Sequence, residues 1–450
     1  MLDVSQLRNI HKNYESKPES CFAVNYCDKA NNFAIQPRGG VGRLTCQHDL
    51  MRALEASGAD FLPITVDSYT RLGDLARASA MLEAENIYDK NILNGFPICS
   101  HKIDDVRWMI NQFNRPTCLR HGTAYPENVF NAALSAGITE FEGGAISYVL
   151  PYSRRADLVK AIDQWTSVEL AVGKLNLMEI PFSRESFGPL SATLVPPIMV
   201  IITQLAELTL AIVCGVKYYT VTLPEFHNHT QIILCKLIIE SCQNTLKELT
   251  KNDFSLSFGI HQWMSVFPAD IAKANALIAT SASFAANARF DKLITKSAVE
   301  ALRIPTTNDN CSAIEMINYI RKNTKFGGIK SWEIDSDEYY LIKNNVENIL
   351  NNFWNIAAGI SHNKFTINDL KDELLNLILI GQIDIPFAPH EKNRNKVVTC
   401  LDCDGNVRIL MSGDLNLSDD YANFEESKAR AGIGNQSISE KIQKDIFVKC

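Results

Sequence analysis

Short β-prone runs alternate with longer amphipathic runs through most of this 450-residue chain, and this rhythm constrains the fold more than any other feature. The predicted strands are 33–38, 59–67, 92–97, 117–122, 138–144, 218–225, 254–262 and 290–296. The predicted helices that follow them are 47–57, 71–86, 103–113, 125–136, 154–173, 230–249, 268–286 and a last one from 297. Strands that alternate with helices imply a parallel sheet. Eight such units in roughly 300 residues predict an α/β fold, a (β/α)8 TIM barrel, although counting alone leaves an open doubly wound sheet as the alternative.

The pattern changes after about residue 305, where helical periodicity takes over. The predicted elements there are helices at 308–323, 336–357 and 366–380, a loop at 381–396 and a hairpin at 397–411. A polar tail, expected at the surface, follows. We therefore divide the chain into an N-terminal segment (1–30), a barrel (31–309) and a mostly helical C-terminal extension that carries a β-hairpin (310–450).

The net charge and the hydropathy of the chain argue against a nucleic-acid-binding protein and against a membrane-spanning protein. The formal net charge of −7 argues against general nucleic-acid binding, which needs a basic face. The most apolar stretch, 194–216, contains Pro196, Pro197, Gln204 and Glu207, so we predict a helix buried in the protein after the prolines and no membrane span. The N-terminal residues lack the apolar core of a signal peptide, and we therefore expect a cytoplasmic protein.

The twelve cysteines are scattered and are expected to be reduced thiols in such a compartment. Cys400 and Cys403 form the only close pair, beside a predicted hairpin turn. A structural zinc site needs four ligands, so this single pair is a weak indication of a zinc or redox role.

Polar residues recur where the predicted strands end. They are Arg38, Asp67, Asn94, Arg120, Glu142, Glu225, His261 and Lys296, with Glu142 closing the fifth predicted strand. The carboxyl ends of TIM-barrel strands form the face that carries the chemistry. The sequence therefore predicts a site at this face.

Three arginines and one carboxylate stand out in that set. Arg38, Arg71 and Arg120 would suit a dicarboxylic acid, because a guanidinium holds a carboxylate in a planar fork. Glu142 could bind a substrate ammonium or accept its proton. The alternatives are that the arginines are solvated surface residues and that Glu142 neutralises one of them.

Eight motifs in order carry a family resemblance: QPRGGV, GADFLPITVDSYTR, LNGFP, RHG, EGGAISYVLPY, FGPLSATLVPP, HQWM and IPFAP. Together, over roughly residues 30 to 412, the chain resembles the large catalytic subunit of glutamate mutase, also called the E subunit of methylaspartate mutase. The resemblance implies a TIM barrel and an isomerase that interconverts L-glutamate and (2S,3S)-3-methylaspartate. It also implies a 5′-deoxyadenosyl radical from adenosylcobalamin, bound between the barrel and a separate small subunit.

The resemblance also implies roles for particular residues. The arginines that hold the two substrate carboxylates correspond to Arg38, Arg71 and Arg120, with His121 beside the last. The residue that handles the amino group, and the candidate catalytic residue, corresponds to Glu142; substrate-contacting tyrosines correspond to Tyr148 and Tyr152. Cobalamin contacts correspond to Gly40, Asn94, Pro151 and Phe267, and contacts to the adenosyl portion to Lys296, Glu300 and Ile304. Lys296 and Glu300 are four apart, so one helical turn could present both to a ribose.

The chain has no Asp-x-His-x-x-Gly, the motif that places a histidine under cobalt in this family's small subunit. The resemblance therefore requires a cobalamin-binding small subunit, with a homodimer of this chain inside a heterotetramer. We assign no metal ligand to the chain itself. The sequence departs from the family at Ala145, at Ser265-Val266 and in the loop 222–229, where glycines are expected.

Two other functions compete with this one. Glu225, His227 and His229 in the sequence PEFHNH could bind zinc at a strand end, which would indicate a metal-dependent TIM-barrel hydrolase. A divergent mutase-like subunit with an altered substrate or reduced activity is the second alternative.

Overall fold

Eight parallel strands form a barrel in the computed structural model, which describes residues 4–27, 33–187, 194–226, 228–262, 267–323 and 334–447. The strands are β1 Ala34–Pro37, β2 Leu62–Thr65, β3 Thr117–Arg120, β4 Glu140–Glu142, β5 Ser183–Glu185, β6 Tyr218–Pro224, β7 Ser255–His261 and β8 Lys292–Thr295. They pair in the order β1-β8-β7-β6-β5-β4-β3-β2. The Thr65 amide donates to the Gly39 carbonyl at 2.9 Å, so β2 lies next to β1 and the barrel is closed. The predicted TIM barrel is confirmed.

Helices surround this barrel. They are α1 Val4–Glu15, α2 Val24–Cys27, α3 Leu44–Ala56, α4 Ser68–Arg71, α5 Leu75–Tyr88, α6 Ile103–Ile110, α7 Glu127–Ala136, α8 Leu158–Leu177, α9 Pro197–Val213, α10 His229–Thr250, α11 Ile271–Asn287 and α12 Thr307–Asn323. Helix α12 packs against both α3 and α11. The domain division at residues 309 and 310 stays a prediction, and α12 lies mostly on its C-terminal side.

Two predicted elements differ from the observed barrel. Residues 92–97 form no strand, and only an isolated bridge joins Phe96 to Val66. Gly95 lies directly against the backbone that follows β2: a Cβ added to Gly95 would lie 2.6 Å from the Val66 carbonyl carbon. Strand β5, with the sequence SRE, was missed because three polar residues show no strand pattern. Because one predicted strand is absent and one observed strand was not predicted, the number of barrel strands is still eight. Glu142 ends the fourth strand rather than the fifth.

Helix α9 begins at Pro197, one residue before the predicted start after the two prolines, and every residue from Pro197 to Ile212 is buried. Several of its polar side-chain atoms have internal partners: the Gln204 amide nitrogen donates to the carbonyls of Phe187 and Thr222, and the Thr209 hydroxyl donates to the Leu205 carbonyl. Among the described residues, we find no helix with both the length and the apolar content required to cross a bilayer. The apolar run is a core helix.

The C-terminal extension packs against one side of the barrel. Beyond α12, it consists of α13 Ser336–Ile360, α14 Ile367–Leu379, the antiparallel strands β9 Val398–Leu401 and β10 Val407–Met411, α15 Asp419–Ile433 and α16 Ile438–Ile446. Helix α13 lies on α9 and α10, and the buried Arg408 guanidinium joins Glu338, Asp402 and Glu425. The tail expected at the surface is thus partly buried, because α15 packs on β10. Cys400 and Cys403 are free thiols.

Candidate active site

The Arg120 guanidinium lies at the centre of the carboxyl end of the barrel. Arg120 is the last residue of β3, and its side chain is almost fully buried. Its Nη2 donates to Glu142 Oε1 at the end of β4, and its Nη1 donates to Glu185 Oε1 at the end of β5, at 3.2 Å. Glu142 and Glu185 are register partners on neighbouring strands. Glu185 is a site residue that sequence reasoning missed, because β5 itself gave no pattern.

Glu142 is poised between its charged and neutral forms. Burial raises the pKa of its carboxyl to about 7, with Glu185 adding to the increase, while the positive charge of Arg120 opposes it. The Tyr148 hydroxyl and Arg38 also favour the charged form. Its Oε2 accepts no hydrogen bond of standard geometry from the described residues. A buried oxygen of this kind is suited to receive a proton or a donor from a ligand.

His121 is a neutral histidine that holds the end of β4. The Thr123 amide donates to its Nδ1 at 3.2 Å, so its Nε2 carries the hydrogen and donates to the Glu142 carbonyl at 2.9 Å. Burial lowers its pKa to about 3. The ring stacks on Phe141 with 4.5 Å between centroids. His121 therefore fixes the backbone of Glu142 and does not act as a proton donor near neutral pH.

The turn after Glu142 requires its two glycines. Gly143 has φ +106°, and an added Cβ would lie 2.3 Å from Tyr148 Cδ2 and 2.7 Å from Trp165 Cη2. A Cβ on Gly144 would lie 2.2 Å from the Glu207 carboxylate. Glu207, on α9, accepts from the Ile146 and Ser147 amides at 2.7 Å each and so fixes the turn that carries the tyrosines. Ala145 is accommodated in the buried interior of this turn.

Gly143→Ala is expected to lower the free energy of unfolding by about 3 kcal/mol, since it combines backbone strain with a clash in a packed core. Gly73→Ala is the matched control, because Gly73 has φ +78° and no heavy atom within 4 Å of the added Cβ. That variant should lose only about 1 kcal/mol, from strain alone. Chemical denaturation of both variants measures the difference. Equal losses would show that Tyr148 and Trp165 do not require glycine at position 143.

Arg71 lies beside this turn and is positioned by a capped helix. Asp67 accepts from the Tyr69 and Thr70 amides and caps α4, and Asn94 Oδ1 accepts from the Ser68 amide at 3.0 Å. Arg71 ends α4, and its Nε donates to the Val66 carbonyl at 2.7 Å. Its terminal nitrogens remain directed to the mouth, next to Gly122. Asp67 and Asn94, which the sequence placed at strand ends, thus hold the arginine helix.

The six charged and phenolic residues expected to bind substrate converge at this mouth. The half-exposed Tyr152 phenol interacts electrostatically with Arg38, Glu142, Arg71 and Arg120, and its ring lies 5.6 Å from that of Tyr148. The tyrosines and Arg120 share a contact with Phe187, which lies 5.0 Å from the Tyr148 ring. The structure thus brings the predicted substrate residues together; their roles stay predictions.

A cavity of about 680 Å³ opens beside them, which is within the range of small-molecule sites. Its lining includes Arg38, Gly40, Arg71, Asn94, Lys296, Glu300 and Ile304. Pro151 and Phe267 do not line it, although the Lys296 ammonium lies 5.0 Å above the Phe267 ring. The cavity therefore joins two of the predicted substrate arginines to five of the predicted cofactor contacts.

One rim of the cavity is an ion-pair cluster. Arg38 Nη1 donates to Glu300 Oε1 at 3.0 Å, and Lys296 Nζ lies 3.6 Å from the same oxygen. Burial lowers the pKa of Lys296 to about 8, with Arg38 adding to the decrease and Glu300 opposing it. The predicted helical turn at 297–302 is a non-helical turn, and α12 begins only at Thr307. Lys296 and Glu300 nevertheless meet.

Gly40 also lines the cavity, where its backbone packs closely against β2. An added Cβ would lie 2.1 Å from the Thr65 carbonyl oxygen and 3.2 Å from Gly95 Cα. The buried Glu85 holds the neighbouring loop, since its Oε1 accepts from the Ile92 and Leu93 amides. Glycine is therefore required at position 40 because the loop backbone lies directly against the backbone at the end of β2.

The residues of the proposed zinc site are paired differently. His229 Nε2 lies 3.0 Å from Glu225 Oε1, and the Ser281 hydroxyl donates to Glu225 Oε2 at 2.8 Å. His227 lies outside the described residues, as do Ser265 and Val266. Among the residues that the structure describes, the one group with the geometry to hold a metal ion is Cys118, Glu140 and Glu185, and the Lys292 ammonium already bonds both carboxylates.

Comparison with known proteins extends over nearly the whole chain. The sequence profile of the family described as "Methylaspartate mutase E chain (MutE)" matches residues 18–448. The chain is 34% identical to a protein named glutamate mutase epsilon subunit from Haloarcula marismortui, covering 92% of this chain and 83% of that protein. It is 33% identical to the protein of the same name from Desulfitobacterium hafniense, covering 92% and 84%. It is 30% identical to that from Escherichia coli O157:H7, covering 99% and 92%.

A solved structure of 2,3-dimethylmalate lyase is similar over 72% of this chain and 91% of that one, with 13% identity and a TM-score of 0.32. This likeness is too distant to bear on either fold or function. The barrel topology is established by the strand order of the chain itself.

Proposed function

Since the chain belongs to the methylaspartate mutase E chain family, we propose that it is the catalytic subunit of a mutase that interconverts L-glutamate and (2S,3S)-3-methylaspartate. The observation that carries the proposal is the convergence of Arg38, Arg71, Arg120 and the Glu142 carboxyl around the Tyr152 phenol at one barrel mouth. An amino dicarboxylate presents two negative groups and one positive group. Three guanidiniums beside one carboxylate complement that pattern.

The residues of this chain bind, orient and shield the substrate. Arg38 and Arg71 face the cavity and retain free donors for one carboxylate, and Arg120 presents its unused N–H groups to the other. Glu142 Oε2 accepts a hydrogen bond from the substrate ammonium and can hold one of its protons. Tyr148 and Tyr152 close the mouth around it. Enclosure of this kind excludes water from a reactive intermediate.

The residues around the cavity fit adenosylcobalamin. Gly40 and Asn94 line the cavity and would contact the cobalamin. The polar pair Lys296 and Glu300, together with Ile304, would hold the adenosyl portion. Pro151 and Phe267 are assigned to the outer corrin boundary. When bound, this cofactor supplies the 5′-deoxyadenosyl radical that removes a substrate hydrogen.

The assembly requires a second protein. We assign the cobalt-ligating histidine to a small subunit with an Asp-x-His-x-x-Gly motif, joined to a homodimer of this chain in a heterotetramer. The relatives' name, epsilon subunit, supports a partner. The described cysteines are free thiols, which supports a reducing, cytoplasmic location.

Reconstitution tests this function directly. The full chain is mixed with a cobalamin-binding small subunit and adenosylcobalamin, then assayed with L-glutamate and with other 2-amino dicarboxylates. We expect 3-methylaspartate to form from L-glutamate and a cob(II)alamin radical signal to appear with substrate. Turnover of another 2-amino dicarboxylate alone would reassign the substrate, as expected for a divergent member. Absence of both turnover and radical signal would overturn the proposal.

A further inference from the structure

Five buried charged side chains form one continuous array through the barrel, which we call the charge ladder: Glu142, Arg120, Glu185, Lys292 and Glu140. Lys292 Nζ donates to both oxygens of Glu140 at 2.8 Å and to Glu185 Oε2 at 2.6 Å. Glu185 Oε1 accepts from Arg120, which also donates to Glu142. Negative and positive groups alternate along the ladder.

The composition of the ladder is unusual for this location. Branched apolar side chains dominate the interior of a TIM barrel. Buried ion pairs carry a large desolvation cost, and apolar residues of similar volume often replace them without loss of stability. We therefore attribute these buried charges to the positioning of the residues at the barrel mouth above them, rather than to a contribution to folding stability.

Lys292 fixes Glu185, and Glu185 fixes Arg120. The three ammonium hydrogens of Lys292 have three carboxylate oxygens as acceptors, and its Nζ lies 4.3 Å from the centre of the Phe61 ring. Both oxygens of Glu185 are occupied, one by Lys292 and one by Arg120. The Arg120 fork is thus held from below, while its remaining donors stay available above.

We infer that Lys292 and Glu185 are positioning residues for substrate recognition, which hold the Arg120 guanidinium in place from below. This inference rests on the proposed function, because it concerns the arginine and the carboxylate assigned to the substrate. Neither Lys292 nor Glu185 is assigned a contact with substrate.

The ladder also separates the two carboxylates that share Arg120. Burial raises the pKa of Glu185, but Lys292 and Arg120 together outweigh burial and hold it below its usual value. Glu142 faces Arg120, Glu185, Tyr148 and Arg38, and its pKa is raised to about 7. Without Lys292, only Arg120 would oppose the effect of burial, so the pKa of the Glu185 carboxyl would rise and Glu185 would become protonated. Glu142 would then lose a negative neighbour and ionise at lower pH.

The test compares Lys292→Met/Glu140→Gln with the wild type in the reconstituted enzyme. The double variant removes one charge of each sign, so it leaves the net charge of the barrel interior unchanged. We expect KM for L-glutamate to rise at least tenfold, and the acid limb of the kcat/KM profile, centred near pH 7 in the wild type, to move to lower pH. Glu185→Gln, which keeps an acceptor for Arg120 but not the charge, should move the same limb in the same direction.

Arg408→Met/Glu425→Gln is the matched control, since it removes an equivalent buried pair from the C-terminal extension. It should lower the unfolding midpoint and leave KM and the acid limb unchanged. If the ladder variant shows the wild-type KM and pH profile, the inference is wrong and the ladder serves folding alone. If the wild type itself neither turns over L-glutamate nor gives a radical signal, the proposed function has failed instead.

Discussion

Arg120→Lys is expected to reduce kcat/KM for L-glutamate by about a thousandfold. The Arg120 guanidinium contacts Glu142 and Glu185 through different nitrogens, and an ammonium cannot reach both and still present a planar fork to a substrate carboxylate. Loss of two charge-assisted hydrogen bonds, at about 1.5 to 3 kcal/mol each, corresponds to this range of effect. Steady-state kinetics of the reconstituted enzyme measure it.

A matched substitution separates recognition from folding. Arg408 is also buried and joins Glu338, Asp402 and Glu425, but it lies in the C-terminal extension. Arg408→Lys should lower the unfolding midpoint and leave kcat/KM of the folded enzyme unchanged. Wild-type kinetics in Arg120→Lys would remove Arg120 from the substrate site.

Glu142→Gln is expected to lower kcat/KM by about a hundredfold and to abolish its acid limb, since a general acid–base group contributes typically about 10² to 10⁴. In the wild type the carboxylate predominates above pH 7, because burial raises the Glu142 pKa to about 7. Below that pH the protonated form cannot accept from the substrate ammonium. The kcat/KM value should therefore fall about tenfold per pH unit below pH 7, as for any single required deprotonation.

The amide introduced by Glu142→Gln does not titrate in this range, so kcat/KM of that variant should stay level between about pH 6 and pH 8. Glu225→Gln is a useful comparison, because Glu225 also lies at the end of a barrel strand but pairs with His229 and Ser281. It should keep the wild-type acid limb. A limb retained in Glu142→Gln would assign the titration to another group.

Residue pattern alone predicted much of the architecture. Alternating apolar runs gave seven of the eight strands in place, since a parallel strand buried on both faces is recognisable from its own composition. Strand β5 could not be predicted in this way, because its residues are polar and their partners come from other elements of the folded barrel. Arg184, for example, donates to the Glu169 carboxylate on α8 and to the Phe141 and Gly143 carbonyls.

The candidate site was predictable only in part. Its outer residues belong to motifs that are contiguous in sequence, such as the turn from Glu142 to Tyr152. Glu207 and Glu85 act at a distance: they lie within helices and secure loops that carry site residues. Nothing in their local sequence marks that role, because it depends on which loop folds over each helix.

Local pattern predicted the alternation of strands and helices, and local motifs predicted the family and most of the residues that the structure brings to the mouth. The chemical state of those residues depends instead on contacts that form only in the folded chain. Lys292 meets Glu140 and Glu185 across 152 and 107 residues of chain, and no spacing rule predicts such contacts. The state of Glu142 follows from burial and from neighbours on other strands, so its pKa is a property of the fold rather than of the residue.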